Sequence, residues 1–137
     1  MKSMMTIVLG LAATGVLGAE TIKLPAPNYD SGVTVMQALK ARRSERAFLA
    51  RDIPLETLSG VLWAANGFNR PDKRTNATGL NKQTIIVYAI MKSGAYRYDA
   101  KANALVKACD GDLRPAIAAQ QPFAATAPVS LLVTADL

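Results

Sequence analysis

The sequence of 137 residues contains no histidine and a single cysteine, Cys109. One cysteine cannot form a disulfide within the chain. The absence of histidine excludes the Ser-His-Asp triad, the Cys-His pair and nearly all zinc sites. An enzyme of this composition must use carboxylates, lysine, tyrosine or a bound cofactor. We therefore predict no metal site and assign no catalytic side chain.

The sequence also lacks a long apolar run. The apolar stretch near the N-terminus is shorter than the roughly 20 residues that a membrane span requires. That run follows Lys2 and ends at the small residues Gly18 and Ala19, which is typical of a secretory signal peptide. A buried N-terminal helix is the alternative. We expect residues 1–19 to be a signal peptide and residues 20–32 an exposed lead-in. The protein would then be exported to the periplasm or the extracellular space, without a stable membrane span.

Half of the chain is hydrophobic and its net charge is +6 at neutral pH. The length suits one domain, and the composition allows a buried core. The basic surplus points to an anionic partner: a phosphate group, an anionic lipid surface or a nucleic acid. Composition does not choose among the three.

Much of the positive charge is concentrated in the stretch A-R-R-S-E-R-A-F, residues 41–48, which contains three arginines and a serine. Basic side chains at the end of a helix complement its dipole, so a solvated cluster is one interpretation. The other is a phosphate site, because guanidinium groups bind phosphate through paired N–H donors. Arg43 and Arg46 would face the same way if the preceding helix continued.

Hydrophobic periodicity predicts an α+β fold. Helices are expected over 33–41, from Pro54 to the Asn66-Gly67 stop, and over 112–120. Apolar or alternating runs predict strands at 84–91, 95–99, 103–109 and 128–134, and the first three would form an antiparallel meander. We expect the polar stretch 68–81 to be a loop with solvated basic residues, and Trp63 and Cys109 to be packed inside.

The ordered set of motifs resembles the FMN-dependent nitroreductase family. The set comprises R-R-S-x-R-x-F, a helix ending L-W-A-A-N-G, an N-x-Q loop before an apolar strand, G-A-Y-R-Y-D, and A-P-V-S-L-L-V-T-A-D. The resemblance covers residues 32–137. It implies an α+β meander sheet flanked by helices, in a homodimer with FMN at the interface. It also implies electron transfer from NADH or NADPH to nitroaromatic, quinone or similar small-molecule acceptors.

The resemblance further implies a set of cofactor-binding residues. The arginine–serine motif would contact the FMN phosphate and ribityl chain, and the N-x-Q loop would contact the flavin from the neighbouring subunit. The family pattern P-S-x-x-N-x-Q reads A-T-G-L-N-K-Q here, so Thr78 replaces the serine. The implied cofactor-binding residues are Arg42, Arg43, Ser44, Arg46, Asn81 and Gln83.

The family domain extends beyond the A-P-V strand, so the resemblance also implies that residues 33–137 are a C-terminally incomplete domain. Two other functions stay open at this stage. One is a non-catalytic module that binds anionic lipid or nucleic acid through its basic face. Nucleic acid is disfavoured, because aromatic residues do not alternate with the basic ones. The other is an inactive fragment of a flavin enzyme.

Overall fold

A computed structural model describes residues 18–30 and 32–136 of the chain. The predicted signal peptide therefore lies almost entirely outside the described residues. The described part is an α+β fold with one five-stranded sheet and a small two-stranded hairpin. The elements are β1 (Thr21–Lys23), α1 (Val35–Ala41), α2 (Leu55–Asn66), β2 (Phe68–Arg70), β3 (Lys73–Arg74), β4 (Ile85–Met91), β5 (Gly94–Asp99), β6 (Ala104–Asp110), α3 (Arg114–Ala118) and β7 (Val129–Ala135), with 3₁₀ turns at Gly79–Asn81 and Pro122–Thr126.

The main sheet has the strand order β1-β6-β5-β4-β7, and every neighbouring pair is antiparallel. The predicted meander of β4, β5 and β6 is present. β7 pairs with β4 along its whole length, from Ile85 opposite Ala135 to Met91 opposite Val129. β7 is an edge strand among the described residues, and its Leu132 and Val133 are 41% and 57% exposed.

Helix α2 supplies most of the packing against the sheet. Pro54 precedes its first residue and Gly67 follows its last, as the sequence predicts. Leu58 and Leu62 are completely buried. Both belong to a buried cluster with Leu24, the residue after β1, and apolar side chains of three strands, β4, β5 and β6; the strand members include Val87, Tyr96, Tyr98 and Leu105. The period of the leucines therefore placed the core face of this helix correctly.

The segment expected to be an exposed lead-in is partly inside the fold. Residues 21–23 form β1 and pair with β6, and Leu24 is 3% exposed. The Ser59 hydroxyl donates to the Pro25 carbonyl at 2.6 Å, and the Asn103 amide donates to the same oxygen at 2.8 Å. The expectation of an exposed segment is thus wrong for Leu24, whereas Thr21 and Lys23 are exposed although they pair in β1. The pairing forms because β6 offers this segment a free edge that no local pattern shows.

Helix α1 begins where the sequence predicts but packs differently from α2. Thr34 caps its N-terminus and forms a capping box with Gln37. The helix ends at Ala41, and Arg42 is already extended. This end agrees with the predicted range, so the condition under which Arg43 and Arg46 would face the same way is not met. Its apolar side chains remain exposed; Val35, Met36 and Leu39 are 75%, 74% and 59% exposed.

Three further expectations need correction. The polar stretch 68–81 is not a plain loop, since it contains the β2–β3 hairpin and a 3₁₀ turn. Cys109 is exposed rather than buried, because it lies near the end of β6, where the burial of that strand is lost. Trp63 is only partly buried: its ring meets Tyr29 edge-on at 4.9 Å and its Nε1 donates to the Phe68 carbonyl.

Within residues 18–30 and 32–136, no helix combines the length and the apolar composition that crossing a membrane requires. The same residues contain no cluster of three or more histidine, cysteine or acidic side chains arranged to hold a metal ion.

Candidate functional site

The arginine segment, residues 42–46, lies on the surface immediately after α1, with every residue exposed. The Arg43 guanidinium forms an ion pair with Glu45. The Arg46 guanidinium lies over the Phe123 ring, 5.6 Å from its centre. The Arg42 side chain has no hydrogen bond or ion pair with any described residue. The fold therefore uses this positive charge only in one surface ion pair and one ring contact.

The charge of the arginine segment suits a phosphate monoester. Three arginines and one glutamate leave a surplus of two positive charges within five residues. A phosphate monoester carries about −1.5 to −2 at neutral pH. Exposed guanidinium groups with few internal partners can reorient toward such a group and bind it through paired N–H donors.

A second cluster lies in the N-x-Q loop, residues 78–83. The Thr78 hydroxyl accepts a hydrogen bond from the Gln83 backbone N–H at 2.8 Å. Three non-glycine residues adopt positive φ here: Leu80 at 53°, Asn81 at 55° and Gln83 at 53°. Such conformations are strained for L-residues and persist only where surrounding contacts hold them. Thr78 supplies one such contact by closing the loop on itself.

The two side-chain amides of this loop are hydrogen-bonded to each other and to the hairpin. Gln83 Nε2 donates to the Asp72 carbonyl at 2.8 Å and to Asn81 Oδ1 at 3.3 Å. Asn81 Nδ2 donates to the same Asp72 carbonyl at 3.2 Å. Both amide protons of Gln83 are thus used inside the chain. Asn81 keeps one amide proton and one oxygen lone pair for another partner.

Arg74, at the end of the hairpin, joins three parts of the structure. Its Nε donates to Gln83 Oε1 at 3.2 Å, and its Nη1 donates to the Asn66 carbonyl at the end of α2 at 2.8 Å. The guanidinium also lies 4.4 Å from the centre of the Phe68 ring. Arg74 was expected to be solvated with its neighbours Arg70 and Lys73. It is instead partly buried, and two of its guanidinium nitrogens donate hydrogen bonds within the chain.

A cleft of about 210 Å³ lies beside the loop. Three basic side chains contribute to its wall, together with Asn76 and Asn81; the basic residues are Arg70, Lys73 and Arg74. Asn76 Oδ1 is buried and accepts no hydrogen bond from any residue that the structure describes. A second space of about 460 Å³ is lined by Thr78, Leu80 and Lys82, among others. The loop is thus flanked by open volume on two sides.

Comparison with known proteins identifies the relatives of this fold. The sequence profile described as "Nitroreductase family" matches residues 39–137. The chain belongs to the nitroreductase family. The resemblance read from the arginine motif and the N-x-Q loop is thereby confirmed at the level of the family.

A solved structure supports the same relationship. The crystal structure of a protein from Ralstonia eutropha JMP134, provisionally assigned as a nitroreductase, superposes with a TM-score of 0.75 and is 36% identical. The match covers 84% of this chain and 55% of the Ralstonia chain. This chain therefore spans little more than half of that protein's length. A search of curated proteins found no significant match. The predicted nitroreductase-like α+β fold class is confirmed.

The predicted cofactor residues form two separate groups in this nitroreductase-family fold. Asn81 and Gln83 are in direct contact, and the arginine segment is continuous along the chain. No hydrogen bond or ion pair within residues 18–30 and 32–136 joins one group to the other. Their roles toward a cofactor stay predictions.

Sequence reasoning missed Arg74 and the Asp72 carbonyl. Nothing in the local sequence indicates either, because the hairpin that brings residues 66, 74 and 83 together consists largely of polar residues.

Proposed function

We propose that this protein is an FMN-dependent oxidoreductase that passes electrons from NADH or NADPH to nitroaromatic, quinone or similar small-molecule acceptors. Nitroreductase-family membership supports a flavin oxidoreductase in general. The observation that carries the finer proposal is the exposed arginine segment, which keeps a surplus of two positive charges after its one ion pair. A bound flavin would supply the two-electron chemistry, so the protein needs neither histidine nor a metal for it.

The residues present fit such a cofactor in two places. Arg42, Arg43 and Arg46, with the Ser44 hydroxyl, would hold its phosphate and ribityl chain. The Asn81 amide has one free proton and one free lone pair, which suits contact with the flavin ring edge. Unlike Asn81, Gln83 has no amide proton left for the same purpose unless its internal bonds are exchanged.

We further propose that two copies of the chain form a homodimer with the cofactor between them. In one chain the arginine segment and the loop have no bond to each other, so a site using both is most simply built across an interface. The exposed apolar side chains of α1, which adjoin the arginine segment, give that interface a hydrophobic component. Burial of such a face is the usual driving force of stable association.

The test of the phosphate contact compares FMN with riboflavin, which lacks the phosphate. The chain should bind FMN more tightly, as measured by quenching of flavin fluorescence. The variant with Arg42, Arg43 and Arg46 all changed to alanine should lose that preference. Hydrogen bonds to a charged group contribute about 1.5–3 kcal/mol, so FMN affinity should fall at least about tenfold. Arg97→Ala is the control, because Arg97 is also an exposed arginine and lies on β5.

Two results would contradict the proposal. One is a purified chain that is folded and dimeric but acquires no flavin absorbance after FMN is added. The other is a triple variant that retains the full preference for FMN over riboflavin. A complex with DNA that weakens steeply with salt would instead favour the basic binding module.

Export is a separate proposal that rests on the N-terminal sequence alone. The mature chain would begin near Glu20 after cleavage at Ala19. Mass spectrometry of protein recovered from the compartment outside the cytoplasmic membrane tests this directly. A mass that still includes residues 1–19 would refute it.

A further inference from the structure

The N-x-Q loop holds an unusual backbone conformation with few apolar contacts. Leu80, Asn81 and Gln83 all have positive φ, and Leu80 is 93% exposed. Burial therefore does not hold this loop in place. Hydrogen bonds within the loop and side-chain hydrogen bonds from the loop to the β2–β3 hairpin do so.

The bonds form a directed chain that begins at Arg74. A guanidinium has donors only, so the Gln83 atom that faces it must be the amide oxygen. That choice turns Gln83 Nε2 toward the Asp72 carbonyl and Asn81 Oδ1. Asn81 Oδ1 then accepts, and its Nδ2 is directed to the Asp72 carbonyl. Arg74 thereby sets the orientation of both amides.

Arg74 is itself held firmly enough to do this. Its Nη1 donates to the Asn66 carbonyl at the C-terminal end of α2, where carbonyls lack helical partners and the helix dipole is negative. The Phe68 ring lies against its other side. The guanidinium thus links the exposed loop to the C-terminal end of α2, the helix that packs against the sheet.

We propose that Arg74 is a positioning residue that preorganises residues 78–83 through Gln83 and directs the Asn81 amide toward its ligand. The ligand part of this inference rests on the proposed flavin function; the positioning part does not. A loop fixed before binding loses less entropy when the ligand arrives, which raises affinity. Gln83 then serves mainly to hold the loop in place, and Asn81 is the residue with free hydrogen-bonding capacity.

The test measures hydrogen exchange in the flavin-free chain, then FMN affinity. The reporters are the loop amides of Asn81, Lys82 and Gln83, which bond to Thr78 or Gly79. In Arg74→Met their exchange should rise at least about tenfold while amides of β4 and β5 are unchanged. Arg70→Met is the matched control. Arg70 lies in the same hairpin and lines the same cleft, and its single side-chain bond is a 3.4 Å contact with Asn69.

A double-mutant comparison separates positioning from a general loss of stability. Gln83→Met keeps both other contacts of Arg74, so it should free the loop with the sheet intact. Because Arg74 acts through Gln83, the double variant should show no more loop exchange than Gln83→Met alone. Arg74→Lys, which keeps a donor but not the planar fork, should fall between wild type and Arg74→Met.

The outcomes divide cleanly. Unchanged loop exchange in Arg74→Met or Gln83→Met, or additive effects in the double variant, would overturn the positioning role. If the loop responds as expected but wild type binds no FMN, the positioning role holds and the proposed function fails. If wild type binds FMN, Arg74→Met should bind it at least about tenfold more weakly, with an altered visible circular dichroism band. Unchanged affinity and spectrum would refute the ligand part.

Discussion

The same substitution, leucine to alanine, should have very different consequences on the two longest described helices, α1 and α2. Leu62 on α2 is completely buried among the core residues of the sheet. Leu39 on α1 is 59% exposed, and α1 has no part in that core. The two variants remove the same atoms, so any difference between them reports the packing of their helices.

The expected magnitudes follow from burial. Leu62→Ala removes a fully buried side chain and leaves a cavity, which should lower the free energy of unfolding by about 3 kcal/mol. For a domain of this size that corresponds to a decrease in Tm of about 10 °C. Leu39→Ala in a single chain should change the free energy by less than about 0.5 kcal/mol, because little area is lost and alanine favours the helix.

The assay is urea denaturation of both variants across about a hundredfold range of protein concentration. Leu62→Ala should be destabilised equally at every concentration. If α1 is covered by a second copy, Leu39→Ala should instead weaken association. Its loss of stability relative to wild type should then depend on protein concentration. An equal, concentration-independent loss in both variants would refute the reasoning, because α1 would then pack within its own chain.

Three further predictions concern the sheet and its connections. Gly94→Ala should destabilise the fold by about 2 kcal/mol, because φ is +149° and the new Cβ would lie 2.5 Å from the Cys109 carbonyl. Gly60→Ala, in open space within α2, should instead stabilise by about 0.5–1 kcal/mol; equal urea midpoints for the two would contradict this. The hydrogen bond from Arg114 lowers the pKa of Asp112 from 3.8 to about 2. Because the pKa of Asp112 is lower in the folded than in the unfolded state, the ionised carboxylate stabilises the fold above about pH 4. Wild type should therefore lose this contribution as pH falls from about 4 to 2. Asp112→Asn lacks this contribution, so its stability should fall less steeply than that of wild type in that window; a parallel pH profile of urea midpoints would count against the pairing. The exposed Cys109 thiol should react with a thiol reagent in the native protein, one per chain, and reaction only after unfolding would show that it is buried.

Regular elements with a clear hydrophobic period could be predicted from the sequence. The leucines of α2 and the β-branched run of β4 each bury one consistent set of side chains, so local pattern and tertiary packing agree. The alternation within β5 likewise predicts that Tyr96 and Tyr98 share one face, and the structure shows that this face is buried. These elements are enough to give the α+β class and the meander.

Elements that depend on a distant partner could not be predicted. β1 is three residues long and exists because β6 has a free edge for it. The hairpin of β2 and β3 consists largely of polar residues, so its sequence reads as a loop. Cys109 is exposed because the packing over β6 ends before it, and the sequence of β6 does not indicate where that packing ends.

The sequence by itself determined which residues carry charge and amide chemistry, and in which order, which was enough to recognise the nitroreductase pattern. Only the tertiary structure decided how those groups are used. It left the arginine segment exposed, bound both protons of Gln83 internally and engaged Arg74, which the sequence had assigned to solvent. The physical reason is that a hydrogen bond depends on distance and direction in space, and residues 66, 74 and 83 approach each other only once α2, the hairpin and β4 have packed.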